Sequence, residues 1–214
     1  MDSDVVKLLL ALFLVVLNGF FVAAEFSIVK VRYSQIQIKA AEGNAMAKQA
    51  EHLIKHLDEY LSATQLGITL ASLALGWVGE SAMHHVIENT LHYFSIALAD
   101  STITTISLVI SFLLITIMHI VFGELIPKSI AIRKSEQTAM LIAMPLRVFY
   151  TVFKPFIWSM NQMSNGFLRL VKIHPASDQE IHSTEELQLL VKQSADSGAI
   201  EEENYEIIKN AFDF

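Results

Sequence analysis

The stretch TITTISLVISFLLITIMHIVF, Thr102 to Phe122, contains no formally charged residue, and Gly123-Glu124-Leu125-Ile126-Pro127-Lys128 follows it directly. A helix rises about 1.5 Å per residue, so this run is long enough to cross a hydrocarbon layer of about 30 Å. Backbone groups in lipid must pair within their own segment, and an apolar run of this length does so as a helix. Two further stretches qualify, Val5 to Val29 and Leu61 to Gly79. The first is not a cleaved leader: it opens with Asp2 and Asp4 against only Lys7, the wrong sign, and its apolar run is too long. The fold class expected is therefore an all-α membrane protein with three transmembrane helices.

Composition agrees. Of 214 residues, 53% are hydrophobic and 17% charged, against about 45–50% and about 25% in soluble domains. Mean hydropathy is +0.45. The absence of cysteine excludes thiolate metal sites and disulfide scaffolds. The net charge of −7 is concentrated at one end, since Ser177 to Phe214 holds ten acids and two bases. Such a tail opposes nucleic acid, whose phosphates need a basic surface, and suits a solvated helical appendage or one that attracts cations.

Lysine and arginine set the orientation. Lys30, Arg32, Lys39, Lys48 and Lys55 follow the first span, Glu80 to Ser101 holds no lysine or arginine, and Lys128, Arg133 and Lys134 follow the third. The amino terminus is expected outside, residues 30–60 inside, 80–101 outside, and the carboxyl terminus in the cytosol. A fourth apolar stretch, Thr138 to Val171, is interrupted by Arg147, Lys154, Pro145 and Pro155. Basic flanks on both sides imply an even number of crossings, read as juxtamembrane or re-entrant helices; a fourth span from Phe149 to Leu170 is the alternative.

Between the spans, Tyr33 to Glu59 reads as a cytosolic amphipathic helix pair broken near Gly43-Asn44. After His174-Pro175 the chain turns soluble, dividing it into a membrane domain, 1–175, and an acidic helical segment, 176–214. In that segment Ser183 and Glu186 form a capping box, and Asp196-Ser197-Gly198 separates two helices.

Polar residues inside the spans suggest function, because they are costly in lipid. Asn18, Val22 and Glu25 share one face of the first helix. Ser62, Gln65, Thr69, Ser72 and Gly76 form a stripe on the second, and Thr104, Ser107 and Ser111 one on the third. Three oxygen-rich stripes could surround a cation pathway. Small and hydroxyl residues also line ordinary helix seams, and for the stripes alone packing is the simpler explanation. Glu25 could pair with Lys30 or Arg32.

Glu124 is harder to explain as packing. Pro127 disfavours helix at Ile126, so a break is expected, freeing carbonyls at Gly123 and Ile126 beside a carboxylate. Carboxylate, carbonyls and hydroxyls are the hard-oxygen set that suits magnesium, with Lys128 as a competing cation for Glu124. His52 and His56 have an i, i+4 spacing but lack a third ligand and are not read as a zinc site. His84, His85 and His92 read as outer-side residues, either plain surface or weak cation contacts. No phosphate loop, nucleophile elbow or catalytic carboxylate pair is present, so no enzyme is expected.

Asn18-Gly-Phe-Phe-Val-Ala-Ala-Glu25, Gln65-Leu-Gly-Ile-Thr-Leu-Ala-Ser72 and Gly123-Glu-Leu-Ile-Pro-Lys128 resemble the transmembrane domain of the CorC/CNNM family, from about residue 4 to 214. The resemblance implies three transmembrane helices, juxtamembrane helices, a plasma (inner) membrane homodimer in contact with lipid, and transport of Mg2+, chiefly as export. It implies an ion ligand at Glu124 and a small polar residue at Asn18. Many relatives carry Ser where this chain has Val22, and Asn where it has Ile68-Thr69, so Thr69 stands in with a hydroxyl. The ligand set expected is Glu124, Asn18, Thr69, Ser72, Glu25 and the backbone at Gly123 and Ile126. Relatives usually continue into CBS modules, where ATP binding is expected and which this stretch does not include. The rival reading is a non-transporting dimeric anchor or magnesium sensor that regulates a partner.

Overall fold

The computed structural model describes residues 3–93, 100–171, 184–198 and 201–212. Among them every regular element is helical: α1 (Ser3–Lys30), α2 (Tyr33–Ala41), α3 (Ala45–Lys55), α4 (Leu57–Tyr93), α5 (Asp100–Ile120), α6 (Ile126–Arg133), α7 (Ser135–Leu170), α8 (Thr184–Asp196) and α9 (Glu202–Phe212). The protein is an all-α membrane protein. Four helical stretches are long and apolar enough to cross a bilayer, in α1, in α4, from α5 through α6, and in α7.

The two compact units are Met1–Ser164 and Asn165–Phe214. In the first, α1 packs against α4, and α4 against α5. Small residues permit the close approach: a Cβ on Gly67 would fall 2.5 Å from the Phe21 ring, and one on Gly79 would fall 3.2 Å from Ile115. The core joins Phe21, Ala24 and Ile28 of α1, Tyr60, Ala63 and Leu66 of α4, and Ile142, Ala143, Leu146 and Ile157 of α7. Outside it, Leu113, Ile117, Leu141 and Val152 are exposed, as on a surface that meets lipid.

The helix pair expected over 33–59 separates at Gly43, whose φ of +94° is left-handed. Its N–H bonds Ala40 O at 3.1 Å and the next N–H bonds Lys39 O at 3.1 Å, closing α2. Asn44 then caps α3, accepting from the N–H of Met46 at 2.9 Å and of Ala47 at 3.1 Å.

The interruption expected at Pro145 and Pro155 does not occur. Residues 135–170 form one helix with no reversal of direction. Each proline leaves one carbonyl four residues earlier, of Leu141 or Thr151, without its intrahelical donor, and both residues are on the exposed side of the helix. Tyr150 donates to Glu59 and Ser62 donates to Asn161. Between these two ties α7 advances about 16 Å and α4 only about 4.5 Å. α7 therefore runs across α4 rather than along it.

In the second unit α8 and α9 pack together, with Gly198 at φ +75° ending the first of them. The 175/176 boundary, Ser183 and the side chains of His85, His92 and Glu186 lie outside the described residues. His84 is near Glu88, at 3.8 Å.

Candidate cation site

The site starts from a hydrogen that proline lacks. Pro127 cannot donate to a carbonyl four or five residues back. The N–H of Ile126 closes on Val121 O, and residues Val121–Leu125 form a π turn. The carbonyls of Phe122 and Gly123 thus receive nothing from Pro127. The helix widens instead of breaking, because the five-residue closure absorbs the missing bond and α6 continues directly.

α1 supplies what Pro127 does not. Asn18, 2% exposed, donates Nδ2 to Gly123 O at 2.9 Å. Beside it, a Cβ on Gly19 would lie 2.9 Å from Pro127 Cγ and 3.2 Å from Phe122 O. On the other side of the seam, a Cβ on Gly123 would lie 3.0 Å from His119 Cδ2 and 3.3 Å from Asn18 Nδ2. Ser72 of α4 donates to Asn18 Oδ1 at 3.1 Å, and its Oγ lies 3.3 Å from His119 Nε2. Ser72 has a single proton, given to Asn18, so His119 is the donor to Ser72 and carries its proton on Nε2. Three helices and the π turn meet in this chain of hydrogen bonds. Next to it lies a cavity of about 320 Å³ lined by Ser72, Leu75, Gly76, Phe112, Ile115, Thr116 and His119.

Of the residues expected to act together, Asn18, Ser72 and Gly123 are joined in this network. Thr69 is exposed and donates to Gln65 O of its own helix at 2.8 Å. Ile126 opens α6, and the carbonyls without a proline donor are those of Phe122 and Gly123, not its own. Glu124 is exposed, and no hydrogen bond or ion pair among the described residues holds its carboxylate. Glu25 is half-buried and lies seven residues along α1 from Asn18, about 10.5 Å.

Lys128 does not pair with Glu124. Its ammonium lies 4.3 Å from the centroid of the Phe26 ring, and it acts coulombically on Glu25. The cation whose field reaches Glu25 is thus on α6, and no ion pair among the described residues joins Glu25 to Lys30 or Arg32. On α3 and just beyond it, the His52 and His56 rings lie 4.5 Å apart between centroids, tilted by 43°. Among the described residues no cluster of three His, Asp or Glu is arranged to hold a metal. On the stripe of α5, Ser107 and Ser111 are buried, and Ser111 donates to the Ser107 carbonyl.

The sequence profile of the CNNM family, the cyclin M transmembrane N-terminal domain, matches residues 9–204. This chain belongs to the CNNM family. It is 43% identical over 215 residues to UPF0053 protein YhdT of Bacillus subtilis (strain 168), covering 99% of this chain and 46% of that protein. It is 41% identical over 210 residues to UPF0053 protein YrkA of the same strain, covering 98% and 48%. The polyamine export protein of Haemophilus influenzae is 28% identical over 214 residues, covering 100% and 49%. The CNNM chain thus spans about half the length of the curated relatives it matches.

Two features of this CNNM chain escaped the sequence reading. His119 is the sole ionisable side chain between Thr102 and Phe122, a signal that could have been used. The seating of Lys128 on Phe26 joins residues about a hundred positions apart, and no local pattern announces it.

Proposed function

We propose that this chain is the membrane domain of a divalent-cation transporter that exports Mg2+ from the cytosol, acting as a plasma-membrane homodimer with its amino terminus outside. The observation that carries the reading is the buried Asn18–Ser72–Gly123 network at the π turn, with the unpartnered carboxylate of Glu124 one residue away. Its oxygens are an amide, a hydroxyl and a carbonyl, hard ligands with no sulfur among them. Without an ion they satisfy one another. Cation binding swings the Asn18 amide nitrogen off Gly123 O and turns the Ser72 proton away, so that oxygens face the ion. The exchange costs about 0.5–1.5 kcal/mol per hydrogen bond, small against bonds to a divalent ion. Glu124 supplies the negative charge that these neutral groups lack. Thr69, three residues from Ser72 on α4, joins by giving up its bond to Gln65.

Transport, rather than chemistry on a substrate, suits a site whose one hydroxyl, Ser72, gives its proton to Asn18 and accepts from His119, so that no base is placed to activate it. The sensor reading draws on the acidic α8–α9 segment, and the name of the Haemophilus relative makes spermidine a necessary comparison. The test is calorimetric Mg2+ titration of the purified protein with flux in liposomes. Asn18→Ala and Glu124→Ala should each abolish binding and flux, while replacing Glu201, Glu202 and Glu203 by Gln should leave both unchanged. Binding lost only with the tail glutamates would make the protein a sensor. Spermidine flux without Mg2+ flux would reassign the substrate.

A further inference from the structure

We propose that Glu25 is a second cation subsite, on the cytosolic side of the Asn18–Ser72–Gly123 network, and that Lys128 is its resident counter-ion, displaced by the arriving divalent cation. This rests on the transport reading above and adds to it a place where the ion is held before the network.

Asn18 and Glu25 lie on one face of α1, about 10.5 Å apart. A magnesium ion sits about 2.0–2.1 Å from its ligands, so the two side chains cannot share one coordination shell from those positions. Glu25 is half-buried near the end of an apolar span against which α6 packs, and a carboxylate there needs a compensating charge. Lys128 provides it, but loosely. Its Nζ rests over Phe26, the next residue on α1, at 4.3 Å. Among the described residues no carboxylate comes within ion-pair distance of it. An ammonium held by a ring face and a field, without a contact pair, is one that a divalent ion can displace, because the doubled charge gains more from the same carboxylate. Lys128 also follows Pro127, whose ring packs against Gly19. The counter-ion is therefore mounted on the short element that carries the network.

The plainer account of Lys128 is a lysine covering apolar surface while its head reaches toward water. That account predicts no link between Lys128 and Glu25 in transport. The two separate in liposome flux measured against cytosolic-side Mg2+ concentration, with calorimetric titration of the same proteins. Lys128→Met should lower KM at least about threefold, since a repelling unit charge leaves the subsite. Lys128→Arg, which keeps charge and ring stacking, should behave as wild type. In a Glu25→Gln background, Lys128→Met should no longer move KM. Lys128→Gln gives the same reading if Lys128→Met does not fold. An unchanged KM in the neutral variants, or an equal fall with and without Glu25, overturns the subsite and leaves the transport reading standing. Wild-type protein that neither binds nor moves Mg2+ overturns both.

Discussion

At the scale of the residue, Gly123 is, with Gly19, one of the two close approaches that build the site. Its missing side chain lets His119, Asn18 and the π turn come together, and a methyl there would meet ring, amide and the Val15 carbonyl within 3.5 Å. Gly123→Ala is expected to destabilise the protein by about 1–3 kcal/mol and to weaken Mg2+ binding with it. Gly76 is the control. A Cβ at that position meets nothing within 4 Å, so Gly76→Ala should hold or raise the melting temperature through helix propensity. Thermal melts of both variants by circular dichroism check the pair; equal losses would mean that the close approach at Gly123 is not what matters. The identity of Asn18 was legible in the sequence as a polar residue in lipid. The freed Gly123 carbonyl was legible too, from Pro127, but that Asn18 donates to it was not, because no local pattern joins residues so far apart in the chain.

At the scale of the element, the π turn follows from Pro127. Pro127→Ala restores an N–H able to reach the Gly123 or Phe122 carbonyl, so α5 and α6 should join as regular helix and release Asn18 from its role. Stability should be unchanged or higher while Mg2+ affinity falls about tenfold, the equivalent of one displaced hydrogen bond. A variant that binds as wild type would show that the widened turn is not needed. On α3, burial together with the charges of His56 and Arg147 pushes the His52 imidazole below its ordinary value of 6.5. The folded state thus binds the proton less readily than the unfolded chain. The stability this contributes is complete above 6.5 and is lost as pH falls through that value toward the lower folded one. Melts at pH 7.5 and 5.5 should show a drop that His52→Gln reduces.

At the scale of the molecule, the chain contains no cysteine, so any introduced thiol is unique. With an impermeant maleimide on intact cells, Thr90→Cys should label and Lys48→Cys should label only after lysis; both positions are exposed. Leu170→Cys should follow Lys48→Cys if α7 lies across the inner face of α4. Labelling of Leu170→Cys from outside would make α7 a fourth span. The crossing of α7 over α4 was hidden from sequence, because two prolines and two bases in an apolar run describe a juxtamembrane helix and a kinked span equally well.

The sequence by itself determined what depends on local composition and periodicity. Helical spans over residues 5–29, 61–79 and 102–122 follow from apolar runs that lipid obliges to be helical, and the breaks at Gly43 and Gly198 follow from glycines able to take positive φ. It also determined that Asn18, Ser72 and the 123–128 motif merited attention. Only the tertiary structure decided that Asn18 bonds across helices to the freed Gly123 carbonyl while Ser72 bonds to Asn18, that Thr69 bonds within its own helix, and that Lys128 rests on the Phe26 ring rather than against Glu124. The reason is geometric. A proline states where a hydrogen bond is missing, but what fills the vacancy depends on which helix packs alongside and at what distance, and that is set by small residues on surfaces far apart in the chain.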